Sequence, residues 1–252
     1  MTGRTLWVEA EDAASLPRAE TLAARLGATG LGPARGAPDG ALVLAVGAGG
    51  LTLRLGDGPR VTAAADALAR APRQAPDPLW RAVLAGRESV VDATAGLGAD
   101  GFHLAARGAR VTMVERSPLL AALLEDALGR AAGGELGPAA EEAAGRVELV
   151  VGDARAVLRS GAVPPERLGV VYLDPMFPET GGRALPPKGM ALLREVLGTD
   201  EDGAAELLAA AREAAGRRVV VKRHLRAEPL AGAAPSGSLR GRTVRFDVYA
   251  PL

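Results

Sequence analysis

Ser89 to Glu115 reads SVVDATAGLGADGFHLAARGARVTMVE, and the reading of this stretch decides the fold. An apolar run, Val90-Val91, ends on Asp92. A turn through Gly96 and Gly98 follows, then a helix-like segment, then a second apolar strand that closes on Glu115. Strand, glycine turn, helix and strand in that order make a nucleoside-binding βαβ unit. Glycine tolerates positive φ and has no Cβ, so the backbone at 96 and 98 can come close to a ligand. Glu115 lies about 20 residues past the turn, where such folds place a carboxylate for the ribose hydroxyls.

The same stretch is acidic. Asp92, Asp100 and Glu115 would make a pocket there anionic, which suits a cationic nucleoside better than a pyrophosphate. S-adenosylmethionine, with its sulfonium and ammonium, is a ligand of that kind. A diphosphate cradle, and with it a dehydrogenase, is disfavoured.

Working outward, strand-like and helix-like segments alternate from residue 89 onward, with strands expected at 89–93, 110–115, 147–151, 170–174 and 218–222. That alternation predicts an α/β fold with a mostly parallel sheet covered on both faces. Pro118 opens a helix with Leu120, Leu124 and Leu128 on one stripe, and helices are expected again at 188–198 and 203–215. The alternating tail 243–250 predicts a last, antiparallel strand. Before the glycine stretch, residues 1–60 read as a small α+β lobe: a strand at 5–10, a helix at 15–26, and a hairpin from 41–46 and 51–55 around Gly47-Ala48-Gly49-Gly50. Residues 61–79 read as a helix and linker, and 80–252 as the main domain.

Composition narrows the class. The 252 residues carry 48% hydrophobic and 24% charged residues and no cysteine, so disulfides and thiolate metal sites are excluded. Two histidines make a histidine metal centre unexpected. There is no apolar run of about 18 residues and no signal-peptide layout, so a cytoplasmic protein is expected, monomeric and without metal or membrane attachment.

Ligands of open α/β sheets bind beyond the carboxyl ends of the strands, and Asp92, Glu115, Asp153 and Asp174 each stand at such an end. Asp153 is expected near the adenine amine; the alternative is that it caps the helix after it. Asp174-Pro175-Met176-Phe177-Pro178 is a stiff loop of one carboxylate among prolines. It resembles the Asp/Asn-Pro-Pro-aromatic loop of enzymes that methylate exocyclic amines. In that reading Asp174 and the Pro175 carbonyl accept the amine N–H groups, and Phe177 or Met176 lies against the base. Between Arg217 and Arg245, eight Arg or Lys face a single acid, Glu228, in a protein of net charge zero. Such a cluster is the footprint expected for a phosphate backbone, with Lys222, Arg223 and Lys188 as candidate contacts.

With these motifs in place, the chain resembles the ribosomal RNA small subunit methyltransferase J family. The resemblance runs through DATAGLG (92–98), MVERSP (113–118), VYLDPMFP (171–178), RVVVKR (218–223) and RFDVYA (245–250). It implies a Rossmann-like, seven-stranded S-adenosylmethionine-dependent methyltransferase that modifies the 2-amino group of a guanine in 16S rRNA, either free or in the small ribosomal subunit. It further implies cofactor contacts at Ala99-Asp100, Glu115-Arg116, Asp153-Ala154 and Asp174. Ala99 stands where the family commonly has a basic residue.

Overall fold

The computed structural model describes residues 5–33, 36–56, 58–68, 77–83, 89–175 and 203–252. Met176, Phe177, Lys188 and the helix expected at 188–198 lie outside these residues, as do 69–76 and 84–88.

The main sheet is built from β5 (Ser89–Asp92), β6 (Arg110–Glu115), β7 (Val147–Val151), β8 (Val170–Leu173), β9 (Arg218–His224), β10 (Gly237–Arg240) and β11 (Val244–Tyr249). Its order is β10-β11-β9-β8-β5-β6-β7. The four pairings from β9 across to β7 are parallel, and β11 joins β9 antiparallel. The valine-rich β5, β8 and β9 are central, where both faces are covered and near-continuous apolar runs are needed. The chain steps outward from β5 to β6 and β7, then returns to the other side of β5 as β8. The crevice between β5 and β8 is therefore a topological switch point, the place where open α/β sheets bind ligands.

Helices α3 (Ala99–Ala106), α4 (Pro118–Ala132) and α5 (Pro138–Ala144) cover one face, and α6 (Ala154–Arg159) and α7 (Ala204–Ala214) cover the other. The start of α4 follows from Pro118 in the first turn and Ser117, whose Oγ accepts from Leu120 N. Among the described residues no helix is long and apolar enough to cross a membrane.

The N-terminal lobe holds β1 (Leu6–Ala10), α1 (Leu16–Leu26), β2 (Gly30–Leu31), β3 (Leu42–Gly47) and β4 (Gly50–Leu55), in sheet order β2-β1-β3-β4. β3 and β4 form the expected hairpin, closed by Gly47 opposite Gly50. One apolar cluster runs from this lobe into α3 and α4. Asp126 of α4 fastens the two parts: it accepts from Leu51 N at 2.9 Å and from Arg18 at 2.6 Å.

The segment after the lobe departs from the expected α-helix. Val61 forms an antiparallel bridge with Leu53, and Ala65–Ala67 is a single 3-10 turn. Alanine favours helix, but pairing with an existing strand edge claims the backbone first. A short α2 (Pro78–Val83) follows, capped by Asp77, which also pairs with His103 of α3 at 2.5 Å.

Candidate active site

A cleft of about 390 Å³ opens at the carboxyl ends of β5, β6, β7 and β8. Its floor is the turn from β5 into α3. Gly96 has φ +56° and a Cβ there would meet only the Thr94 carbonyl oxygen, in ordinary contact at 3.9 Å, and Gly98 has φ +81°. Gly98 does not face the cleft; a Cβ there would meet Phe102 and Leu124 in the core. Gly101 performs the same service between helix and strand, since a Cβ there would run into Met113 and Asp92. Gly96, Gly98 and Gly101 thus complete the G-x-G-x-x-G spacing shared with dinucleotide-binding turns, so it is the surrounding acids and not the glycines that disfavour a diphosphate.

Glu115 closes β6 and ties the turn to the next strand. Its Oε2 accepts from Gly96 N at 2.8 Å and its Oε1 from Ser117 N at 2.7 Å. Burial pushes the carboxyl up, and the N–H groups of Ser117, Gly96 and Arg116, with the Arg116 charge, pull it part of the way back. A carboxylate has about four lone-pair sites, so acceptor capacity is left for a ligand hydroxyl.

The opposite wall is a chain of hydrogen bonds. Asp92 Oδ1 accepts from Thr94 N at 3.2 Å, and Thr94 Oγ1 accepts from Asp174 N at 2.6 Å. Lys222 Nζ donates to Asp174 Oδ2 at 2.9 Å and to Asp100 Oδ2 at 2.7 Å, and the Tyr172 hydroxyl donates to the same Asp100 oxygen at 2.6 Å. Buried Asp92 is pushed up to about 8, by desolvation first and then by the charge of Asp100. For Lys222, burial works against the charge, but Asp174 and Asp100 outweigh it and hold the ammonium above its ordinary range. Asp174 sits at the mouth, its side chain 40% exposed. Loss of water around it raises its carboxyl, and Lys222 opposes that rise.

Of the residues singled out by sequence, Asp92, Gly96, Ala99, Asp100, Glu115, Arg116, Asp153, Ala154, Asp174 and Pro175 all line this one cleft. Asp153 also caps α6, accepting from Arg155 N at 2.9 Å, and the Arg155 side chain holds its carboxyl below the usual range. Lys222 lines the cleft too, but it is turned onto two carboxylates rather than outward as a phosphate contact. Arg223 points to the other face of β9 and donates to the Glu228 carbonyl. Strand parity explains the split: Lys222 shares a face with Val220, and Arg223 shares the other with Val221. Sequence reasoning missed Thr94, Tyr172 and Ala64, which also line the cleft. Thr94 and Tyr172 each stand two residues from a strand-end aspartate, a signal that could have found them.

S-adenosylmethionine fits this donor set. The turn leaves the backbone bare at Gly96, Glu115 has lone pairs to accept hydroxyls, and Asp100 and Asp174 outnumber the one ammonium between them, leaving negative charge for a sulfonium. Among the described residues no group of three or more His, Cys, Asp or Glu could hold a metal ion.

Comparison with known proteins bears on the same residues. The sequence model of a SAM-dependent methyltransferase family matches residues 64–251. Over 166 residues, 66% of this chain, the sequence is 52% identical to ribosomal RNA small subunit methyltransferase J of Laribacter hongkongensis and covers 57% of that protein. It is 50% identical to the protein of the same name from Thioalkalivibrio sulfidiphilus over 177 residues, 69% of this chain and 67% of that one. The chain thus spans roughly three fifths to two thirds of the length of these curated relatives. In structure it is similar to a SAM-dependent methyltransferase from Neisseria gonorrhoeae, with a TM-score of 0.75, 31% identity, and coverage of 98% of this chain and 96% of that one. A match that takes in the glycine turn, the cleft acids and the closing antiparallel strand, and holds in the fold as well as in the sequence, means that the chain belongs to the SAM-dependent methyltransferase family.

Proposed function

We propose that the protein methylates the exocyclic 2-amino group of a guanine in 16S rRNA, in the cytoplasm, acting on the RNA itself or on the small ribosomal subunit. One observation carries this reading: Asp174 and Pro175 line the same cleft as Gly96 and Glu115. The names of the Laribacter and Thioalkalivibrio relatives support the choice of RNA.

When bound, the cofactor supplies a methyl group on a sulfonium, an electrophile that an amine lone pair can attack. Glu115 would hold the ribose and Asp153 the adenine end, with Arg116, Ala99 and Ala154 beside them. A purine amine is a weak nucleophile because its lone pair is conjugated with the ring. Asp174 and the Pro175 carbonyl, each accepting one N–H, localise that lone pair and aim it. Asp174 is also assigned as the acceptor for the proton the amine sheds. Phe177 or Met176 is assigned to the face of the base and Lys188 to a phosphate.

The test is Asp174→Ala, assayed with labelled cofactor on unmodified small subunits and on naked 16S rRNA, with the label then mapped. The variant is expected to keep its fold by circular dichroism and to lose transfer. Methylation at the parental rate would reject the mechanism.

A further inference from the structure

We infer that Lys222 is a positioning residue for the transfer: its ammonium, held between Asp100 on the cofactor turn and Asp174 on the amine loop, keeps the Asp174 carboxylate ionised and aimed into the cleft. The inference rests on the proposed methyl transfer and assigns to Lys222 a part different from RNA contact.

Three observations carry it. The first is register. β9 pairs with β8 so that Val220 lies opposite Tyr172 and Val221 opposite Leu173. Side chains two apart share a face, so Lys222 follows Val220, Asp174 follows Tyr172, and both point to the side of the sheet where Asp100 enters from α3. The second is geometry. Lys222 Nζ lies 2.7 Å from Asp100 Oδ2 and 2.9 Å from Asp174 Oδ2, ion-pair distances to both partners, and its side chain is only 26% exposed. Tyr172 donates to the same Asp100 oxygen at 2.6 Å, and Thr94 holds the backbone N–H of Asp174 at 2.6 Å, so the ammonium joins a carboxylate that Tyr172 already holds to a residue whose backbone is already fixed.

The third is charge. Loss of water around Asp174, and then the charge of Asp100, favour its protonated form, a weaker acceptor for an amine N–H and one that cannot take the proton; Lys222 opposes both, helped by the charge of Arg223. Lys222 is the cation that touches Asp174 among the described salt bridges. A phosphate would have to draw it away from two carboxylates, so as an RNA contact it is badly placed. Lysine also suits the position better than arginine: a compact point charge can sit between two separate oxygens, whereas a guanidinium is shaped for one planar partner.

The experiment compares Lys222→Met and Lys222→Arg with the parental protein on unmodified small subunits across pH. Loss of the ammonium should lower kcat about tenfold or more and move the acid limb of the kcat profile about one unit upward, because Asp174 then holds its proton to higher pH. KM for RNA should stay within about threefold, and arginine should restore the limb while recovering only part of the rate. If the methionine variant does not fold, Lys222→Gln replaces it. An unchanged kcat with an unmoved acid limb would overturn the inference, and so would a raised KM for RNA as the sole effect. Absence of transfer by the parental protein would reject the functional reading instead. The lysine is then read independently, from the carboxyl carbon of Asp174 followed by NMR: its titration midpoint is expected to rise in the variant, and an unmoved midpoint overturns the role.

Discussion

Asp92 ends β5 with 2% of its surface exposed and one hydrogen-bond donor, the Thr94 N–H. Its carboxyl is pushed from 3.8 to about 8, chiefly by burial and then by Asp100. Below the lower value both folded and unfolded chains hold the proton. Across the window from 3.8 to about 8 the unfolded chain has lost it and the fold has not, so rising pH removes stability, and the loss is complete above the upper value. Asp92→Asn should abolish that loss, because the amide oxygen can still accept from Thr94 and no charge needs burying. At about 1.4 kcal/mol per unit, the variant's advantage should grow from near zero at about pH 4 to several kcal/mol above about pH 8. Urea unfolding at both ends of the window measures it, and parallel curves for the two proteins would show that Asp92 ionises freely in the fold. At this scale the sequence was partly legible. Glu115, Asp153 and Asp174 announce themselves as acids at strand ends, because sheet topology puts all strand ends on one rim. Lys222 does not. Beside Arg223 and His224 it reads as one of a basic run, and only the parity of β9 with its buried neighbours separates the inward lysine from the outward arginine.

The glycine turn shows which elements are built to a tolerance and which are not. Gly96 and Gly98 both have positive φ, but a Cβ on Gly96 would make only ordinary contact with the Thr94 carbonyl at 3.9 Å, whereas one on Gly98 would come within 2.6 Å of Phe102 and 2.8 Å of Leu124, both fully buried. Gly98→Ala should therefore cost about 2 to 4 kcal/mol, from dihedral strain and overpacking together. Gly96→Ala should cost about 1 kcal/mol of stability and show itself chiefly as weaker cofactor binding. Thermal unfolding and calorimetry with S-adenosylmethionine separate the two, and equal destabilisation would refute the assignment of separate roles. Thr112 in β6 makes a different case: it is 2% exposed and its hydroxyl has no hydrogen-bond partner among the described residues. Thr112→Val keeps the shape and removes the orphaned group, so it should stabilise by about 1 kcal/mol, read as a higher urea midpoint at unchanged slope. Strands with long apolar runs were legible to the residue, as at 110–115 and 147–151. β10 was not, because Gly237-Ser238-Leu239-Arg240 is short and mostly exposed, and only pairing with β11 makes it a strand. The alanine-rich segment after the lobe misled in the opposite direction, local propensity yielding to the bridge between Val61 and Leu53.

At the scale of the whole molecule, topology sorts the basic tail into parts that the sequence presents as one. Arg217 and Arg218 stand at the start of β9, the end of the sheet away from the cleft. Arg245 is spent on Asp247 and on the carbonyls of His224 and Leu225, and Arg223 on the Glu228 carbonyl. Lys222 is inside the cleft. What remains is Arg226 just after β9, Arg240 at the end of β10 and Arg242 in the turn to β11, all exposed. β11 runs antiparallel to β9, with Val244 opposite His224, and Arg240 pairs opposite Arg245. These three arginines therefore lie at the same end of the sheet as the mouth of the cleft. A patch so placed fits the phosphates flanking the guanine proposed as substrate, and it does so without any net charge on the protein as a whole. Replacing Arg226, Arg240 and Arg242 together by alanine should raise KM for RNA while leaving kcat at saturation near the parental value, since none of the three reaches the reacting groups. The slope of log affinity against log salt should also fall by about 2 to 3, one counterion contribution for each lost phosphate contact. Filter binding of 16S rRNA fragments over a salt series measures that slope. An unchanged slope would mean that the RNA lies over another face, and that the arginines gathered here by the β10–β11 hairpin are a solvated edge and nothing more.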